Sequence, residues 1–226
     1  MLEWLLGATG TGQPGLMRIR AEFGQMLDAG HHAFATAANA FLGGTDPQVI
    51  RDELFATDKR INRAERQIRR ELVVHASVHG AAEFPPCLVL MSIVKDAERI
   101  GDNAKNIFDL SELAPKRPEG EHLAALVELK GRIGRLLAGC HEIFDACDRE
   151  GAKALIVEAK NIEDTCDEHV RHLIQHSGGD EMAVTYALAY RYFKRVAAHA
   201  RNVASSVVQP LHKLDFTSKI TTDEPP

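Results

Sequence analysis

Glu98-Arg99-Ile100-Gly101-Asp102-Asn103-Ala104-Lys105-Asn106-Ile107 is answered, 96 residues on (194 minus 98), by Lys194-Arg195-Val196-Ala197-Ala198-His199-Ala200-Arg201-Asn202-Val203. Basic residues stand at 99 and 195, apolar residues at 100 and 196, and asparagine at 106 and 202. The acids Glu98 and Asp102 of the first copy become Lys194 and Ala198 in the second. Two similar halves, only one keeping its acids, predict a duplicated helical scaffold with an asymmetric site.

Reading outward from the repeat, helical periodicity covers most of the chain. Leu16, Ile19, Phe23, Met26, Leu27, Phe34 and Phe41 form one apolar stripe. The run Gly43-Gly44-Thr45-Asp46-Pro47 stops it, and Asp46 followed by Pro47 starts a second helix over about 47–78. Ile50, Leu54, Ile61, Ala64, Ile68 and Leu72 face inward along it. Gly80 and Pro85-Pro86 close that helix, and a third runs from about Cys87 to Leu113 before Pro115 and Pro118. The second half predicts helices over Glu121–Arg149, Ala152–Gln175 and Glu181–Gln209, with breaks at Gly151 and Ser177-Gly178-Gly179 and an end at Pro210. Gly131, Gly134 and Gly139 weaken the fourth helix by up to ~1 kcal/mol each relative to Ala, and admit either a close neighbour or a bend. Period-two alternation is nowhere sustained. The expected fold is therefore all-α: two tandem three-helix bundles, 16–114 and 119–212, packed side by side or end to end.

The bulk numbers narrow the function. At 226 residues and 45% apolar content the chain can bury a sizeable core. A net charge of -5 excludes a general positive field for nucleic acid. Cys87, Cys140, Cys147 and Cys166 contain no CxxC pair and suit reduced thiols, so a cytoplasmic setting is expected. The opening lacks the basic and long apolar regions of a secretory leader. No run of ~20 apolar residues predicts a membrane span. The cluster Leu2, Trp4, Leu5, Leu6 is expected to fold back onto the body, with docking on a partner or membrane surface as the alternative. The tail from Thr217 is expected to stay loose.

Chemistry concentrates on an acidic ladder. Glu98 and Asp102 lie one helical turn apart on one face, and Asn106 continues the line. Asp58, Asn62 and Glu65 share a face of the preceding helix. If the second and third helices are antiparallel, the two ladders meet and suit a hard or borderline cation such as Fe or Zn. Without a cation, such carboxylates repel one another. The plain alternative is a set of ion pairs with Lys59, Arg63, Lys95 or Arg99.

In the second half Glu163, Asp164, Asp167 and Glu168 face a line with no acid, where Lys194 or Arg195 is expected to neutralise them. His199, in the place of Asn103, is a weak candidate for rescuing a second ion site there. His169, His172 and His176 form a ladder read as an exposed polar edge, and His31-His32 point about 100° apart, one of them to solvent. Gly7, Gly10, Gly12 and Gly15 lack the context of a phosphate loop, and no nucleophilic triad can be assembled.

The segment from Ile93 to Ile107 resembles the helical signature of the PhoU family, the phosphate-uptake regulators and their relatives. The family's acidic motif falls on Glu98 and Asp102, and the acid-bearing motif of its preceding helix on Asp58 and Asn62, with Glu65 less securely placed. The resemblance runs from about 16 to 210. It implies paired three-helix bundles, Fe or Zn clusters on the acidic faces and non-enzymatic, cytoplasmic regulation of phosphate transport. The implied partners are a phosphate transporter or permease and, in some relatives, a sensor kinase. The loss of both acids from the second-half signature weighs against a second metal cluster. A carboxylate-bridged di-metal enzyme is disfavoured because no Glu-x-x-His motif is present in the first half. A metal-free structural dimer of C2 symmetry remains the third reading.

Overall fold

The computed structural model describes residues 14–176 and 178–215. Leu2, Trp4, Leu5, Leu6, the glycines at 7, 10 and 12, Ser177 and the tail from Thr217 lie outside the described residues. Six helices follow one another: α1 (Pro14–Phe41), α2 (Pro47–His79), α3 (Phe84–Leu113), α4 (Gly120–Asp145), α5 (Arg149–His176) and α6 (Ala183–Val208). No strand occurs among the described residues.

The helix ends follow from local chemistry. Asp46 Oδ1 accepts a hydrogen bond from the Gln48 amide at 3.0 Å, and Pro47 opens α2, where a missing N–H costs nothing. Gly80, at φ 81°, ends it. The helix α3 begins at Phe84, three residues before the expected Cys87, because Pro85 and Pro86 fit its first turn. The joint expected at Gly151 lies earlier. The helix α4 stops at Asp145, Cys147 takes a positive φ of 50°, and Asp148 Oδ1 caps α5 by accepting from the Glu150 and Gly151 amides. Gly151 is thus inside α5.

Side-by-side packing joins the halves. The helix α1 packs on α4 and α3 on α6, so one continuous apolar core crosses the joint. Phe23 meets Phe144 edge-on at 4.9 Å and Phe34 meets Phe193 at 5.4 Å. Asp96 pairs with Asn202 while Asn103 pairs with Arg195, which makes α3 and α6 antiparallel. Close approach depends on Gly101, where a Cβ would stand 3.0 Å from Ile61 Cδ1. Gly131, Gly134 and Gly139 serve no such contact. A Cβ at Gly134 would meet nothing within 4 Å, and at the other two it would meet only side chains of α4 itself. The helix runs through all three without a break.

Candidate functional site

The antiparallel pair α2–α3 does bring acids from both helices together, but selects two of them. Glu65 and Glu98 are each 6% exposed and converge on one ammonium. Lys95 Nζ stands 2.7 Å from Glu98 Oε2 and 3.6 Å from Glu65 Oε1. Arg69 adds a contact to Glu65 at 3.2 Å, and Arg99 one to Glu98 at 3.7 Å. Glu65 Oε1 and Glu98 Oε2 are fully buried and lack a partner in hydrogen-bond geometry, so these ion contacts are what compensates them. Two buried carboxylates facing each other require such a charge.

The other ladder residues sit apart from this pair. Asp102 is half-buried and accepts from Arg99 Nη1 at 3.0 Å. Asn62 Nδ2 donates to the Asp58 carbonyl at 3.1 Å, one turn back on its own helix. Asp58 and Asn106 are half-buried. Among the described residues no three His, Cys, Asp or Glu side chains are grouped to hold a metal ion. An ionic site here therefore needs side chains to move, above all Lys95.

In the second half, Lys194 Nζ lies 2.5 Å from Asp167 Oδ2. Glu163, buried like Glu65, accepts from Arg201 Nε at 2.6 Å. Internal cations therefore meet the acids there, as the sequence led us to expect, although Arg201 shares the work and Arg195 turns to Asn103. Asp164 pairs with Lys160, and Glu168 is exposed. His199 does not join these acids. Its Nδ1 lies 2.9 Å from Asp96 Oδ1, across the joint between the halves.

That cross-half contact was missed from sequence. Asp96 is buried and accepts from Asn202 Nδ2 at 2.9 Å as well. The available signal was an acid at 96 out of line with Glu98 and Asp102, on the side of α3 that faces α6. The histidine ladder is also more varied than an exposed edge. His172 and His176 are exposed, but His169 is half-buried and stacks on Tyr190 at 4.5 Å, while His122 lies 3.0 Å from the Tyr190 hydroxyl. Burial, then the neighbouring His122, holds the His169 pKa below its ordinary value. At the adjacent pair, His32 is exposed and meets Glu53 at 2.9 Å, while His31 is half-buried and lowered in pKa by desolvation. All four cysteines are free. Burial pushes the Cys140 and Cys166 thiols up to about 12, which leaves them inert.

With this geometry in hand, similarity to known proteins can be placed. Residues 23–110 match the family model for the PhoU domain, which covers α1 from its third turn, α2 and all but the last three residues of α3. No curated protein sequence matches the chain. Among solved structures, the phosphate transport system regulatory protein PhoU from Streptococcus pneumoniae aligns at a TM-score of 0.74 and 16% identity, over 85% of this chain and 93% of that one. PhoU from Pseudomonas aeruginosa aligns at a TM-score of 0.65 and 19% identity, over 92% of this chain and 97% of that one. These alignments carry the likeness through α4–α6, beyond the reach of the family model. Residues 23–110 thus match the PhoU domain, and the chain as a whole takes the fold of these PhoU structures.

Proposed function

We propose that this protein regulates phosphate transport by binding other proteins, without catalysing a reaction. The carrying observation is the PhoU domain at 23–110 within a six-helix fold shared with a phosphate transport system regulatory protein. No described helix is long and apolar enough to cross a membrane. The reading places the chain at the cytoplasmic face of a phosphate permease, with a sensor kinase and a second copy of itself as further partners. Labelled-phosphate uptake tests it in cells that lack the chain. Uptake should stay high when external phosphate is plentiful and fall again on complementation. Uptake unchanged by the deletion would remove this function.

The finer part of the proposal is that Fe or Zn binds the first-half acidic face. Its support is the pair of buried oxygens, Glu65 Oε1 and Glu98 Oε2, converging on one cation without hydrogen bonds. A metal would take the place of the Lys95 ammonium, and Asp102 would have to leave Arg99 to join it. Asp58, Asn62 and Asn106 extend the two ladders from that position. Elemental analysis of the protein, as purified and after loading, decides the matter beside the Glu98→Ala/Asp102→Ala variant. Stoichiometric metal lost in the variant supports the site. Metal absent from both, even after loading, removes it and leaves the regulatory reading standing.

A further inference from the structure

The first turn of α1 lies on α2 in a register that leaves a bare apolar strip just beyond it. Arg18 Nη2 meets Glu71 at 3.0 Å and His32 meets Glu53 at 2.9 Å, so α1 and α2 run antiparallel. At Gly15 an added Cβ would stand 3.0 Å from His75 Nδ1. The line of α2 that carries Glu53 and Glu71 is therefore the solvent rim that runs beside α1. Val74 and Val78 continue that line, three and seven residues past Glu71. Seven residues are two turns, with a drift of only ~20°. The helix α1 begins at Pro14; beside its first turn Val74 is 57% exposed, and beyond that turn Val78 is 71% exposed.

We infer that the apolar segment Leu2, Trp4, Leu5, Leu6 of the same chain docks on this strip. The direction follows from the antiparallel register, since the amino-terminal end of the described α1, at Pro14, points toward Val78. The reach is ample. Leu6 precedes Pro14 by eight residues (14 minus 6), and eight extended residues span up to ~29 Å. Val78 is three residues beyond His75, only ~4.5 Å along the helix axis. Gly7, Gly10 and Gly12 allow the chain to turn back onto α2. A short covalent tether gives an effective concentration in the millimolar range, so the segment of the same chain outcompetes a second copy at ordinary concentrations.

Trp4 is the sole tryptophan and reports the contact directly. In the full chain its emission should lie to the blue of free tryptophan and resist acrylamide quenching, independent of protein concentration. Val74→Asp/Val78→Asp changes exposed positions only and should shift the emission red and restore quenching. Leu5→Ser/Leu6→Ser leaves the helical body untouched and should do the same. Trp4 as quenchable as free tryptophan in the parent, or shielding unchanged in both variants, would overturn the inference. Shielding that fades on dilution would assign the strip to a second copy instead. Shielding that arises only with lipid vesicles would assign the segment to a membrane surface.

Discussion

Replacing Lys95 by Met removes the cation between Glu65 and Glu98 while keeping the stem that packs beside them. Both carboxylates are buried, and each would retain one arginine: Arg69 at 3.2 Å from Glu65, Arg99 at 3.7 Å from Glu98. The arginines are exposed to much the same degree as Lys95 (42% and 44% against 38%), and Arg69 stands nearer Glu65 than Lys95 does, so it is chiefly Glu98 that loses its close cation. Breaking a buried ion pair costs ~3–5 kcal/mol, and the surviving arginines place the expected loss near the lower bound. For a chain of this size ~3 kcal/mol corresponds to a fall in Tm of roughly 6–12 °C. Urea and thermal denaturation of Lys95→Met beside the parent measure it. Lys95→Met/Glu98→Gln should recover most of the loss, because one of the two facing charges is gone. If Fe or Zn binds this face, the single variant should also be the more strongly stabilised by added metal, by about 2.7 kcal/mol at a hundredfold excess over Kd. A Lys95→Met protein as stable as the parent would refute the view that Lys95 compensates this buried pair.

Arg201→Met should cost a comparable ~3–5 kcal/mol by leaving the buried Glu163 uncompensated, whereas Glu163→Leu/Arg201→Met should be far milder; urea midpoints compare the two. Gly101→Ala should destabilise by ~1–3 kcal/mol, since its Cβ would press on Ile61, while Gly134→Ala, in open space, should stabilise by up to ~1 kcal/mol. Opposite signs in the two unfolding curves are the expected result. His169 has a folded pKa lowered from 6.5, so the unfolded chain takes up its proton first as pH falls. Its contribution is full above pH 6.5 and is lost on descent through the folded pKa. Accordingly, His169→Phe, which preserves stacking on Tyr190, should lose less stability than the parent between neutral and mildly acidic pH in a calorimetric series.

Much of the helical plan was legible because its signals are local. Asp46-Pro47 caps α2 by chemistry contained in three residues, and the stripe from Leu16 to Phe41 is buried as its spacing requires. The boundaries that moved depended on rules with two outcomes. Pro85-Pro86 can precede a helix or occupy its first turn, and Asp148 proved a better cap than Gly151 a break. The site was legible only as a face. Spacing places Asp58, Asn62 and Glu65 on one side of α2, but burial along that side depends on where α3 crosses. The crossing at Gly101–Ile61 buries Glu65 against Glu98 and leaves Asp58 half-buried. Nor does a one-helix pattern show that Lys95 turns inward or that Asp96 reaches α6, because both choices are made by the neighbouring helix.

The asymmetry between the halves acquires a physical form once α2 and α5 are aligned. Glu65 and Glu163, 98 residues apart (163 minus 65), are both buried and both meet a cation, Lys95 in one half and Arg201 in the other. At the same spacing Arg69 corresponds to Asp167 (167 minus 69 is also 98), while Glu98 corresponds to Lys194. At these two positions alone the signs are exchanged, basic on α2 and acidic on α3 against acidic on α5 and basic on α6, whereas Glu65–Lys95 and Glu163–Arg201 keep the acid on the first helix of each pair. Both arrangements leave a buried glutamate compensated from within the protein. Only the first keeps a second carboxylate beside it, at Glu98, with a partly exposed lysine between the two. Lys194, by contrast, holds the partly exposed Asp167 with no buried acid at its position. The difference that the repeat shows as lost acids is, in the folded chain, a difference in whether one cation stands between two buried carboxylates or beside a single half-exposed one.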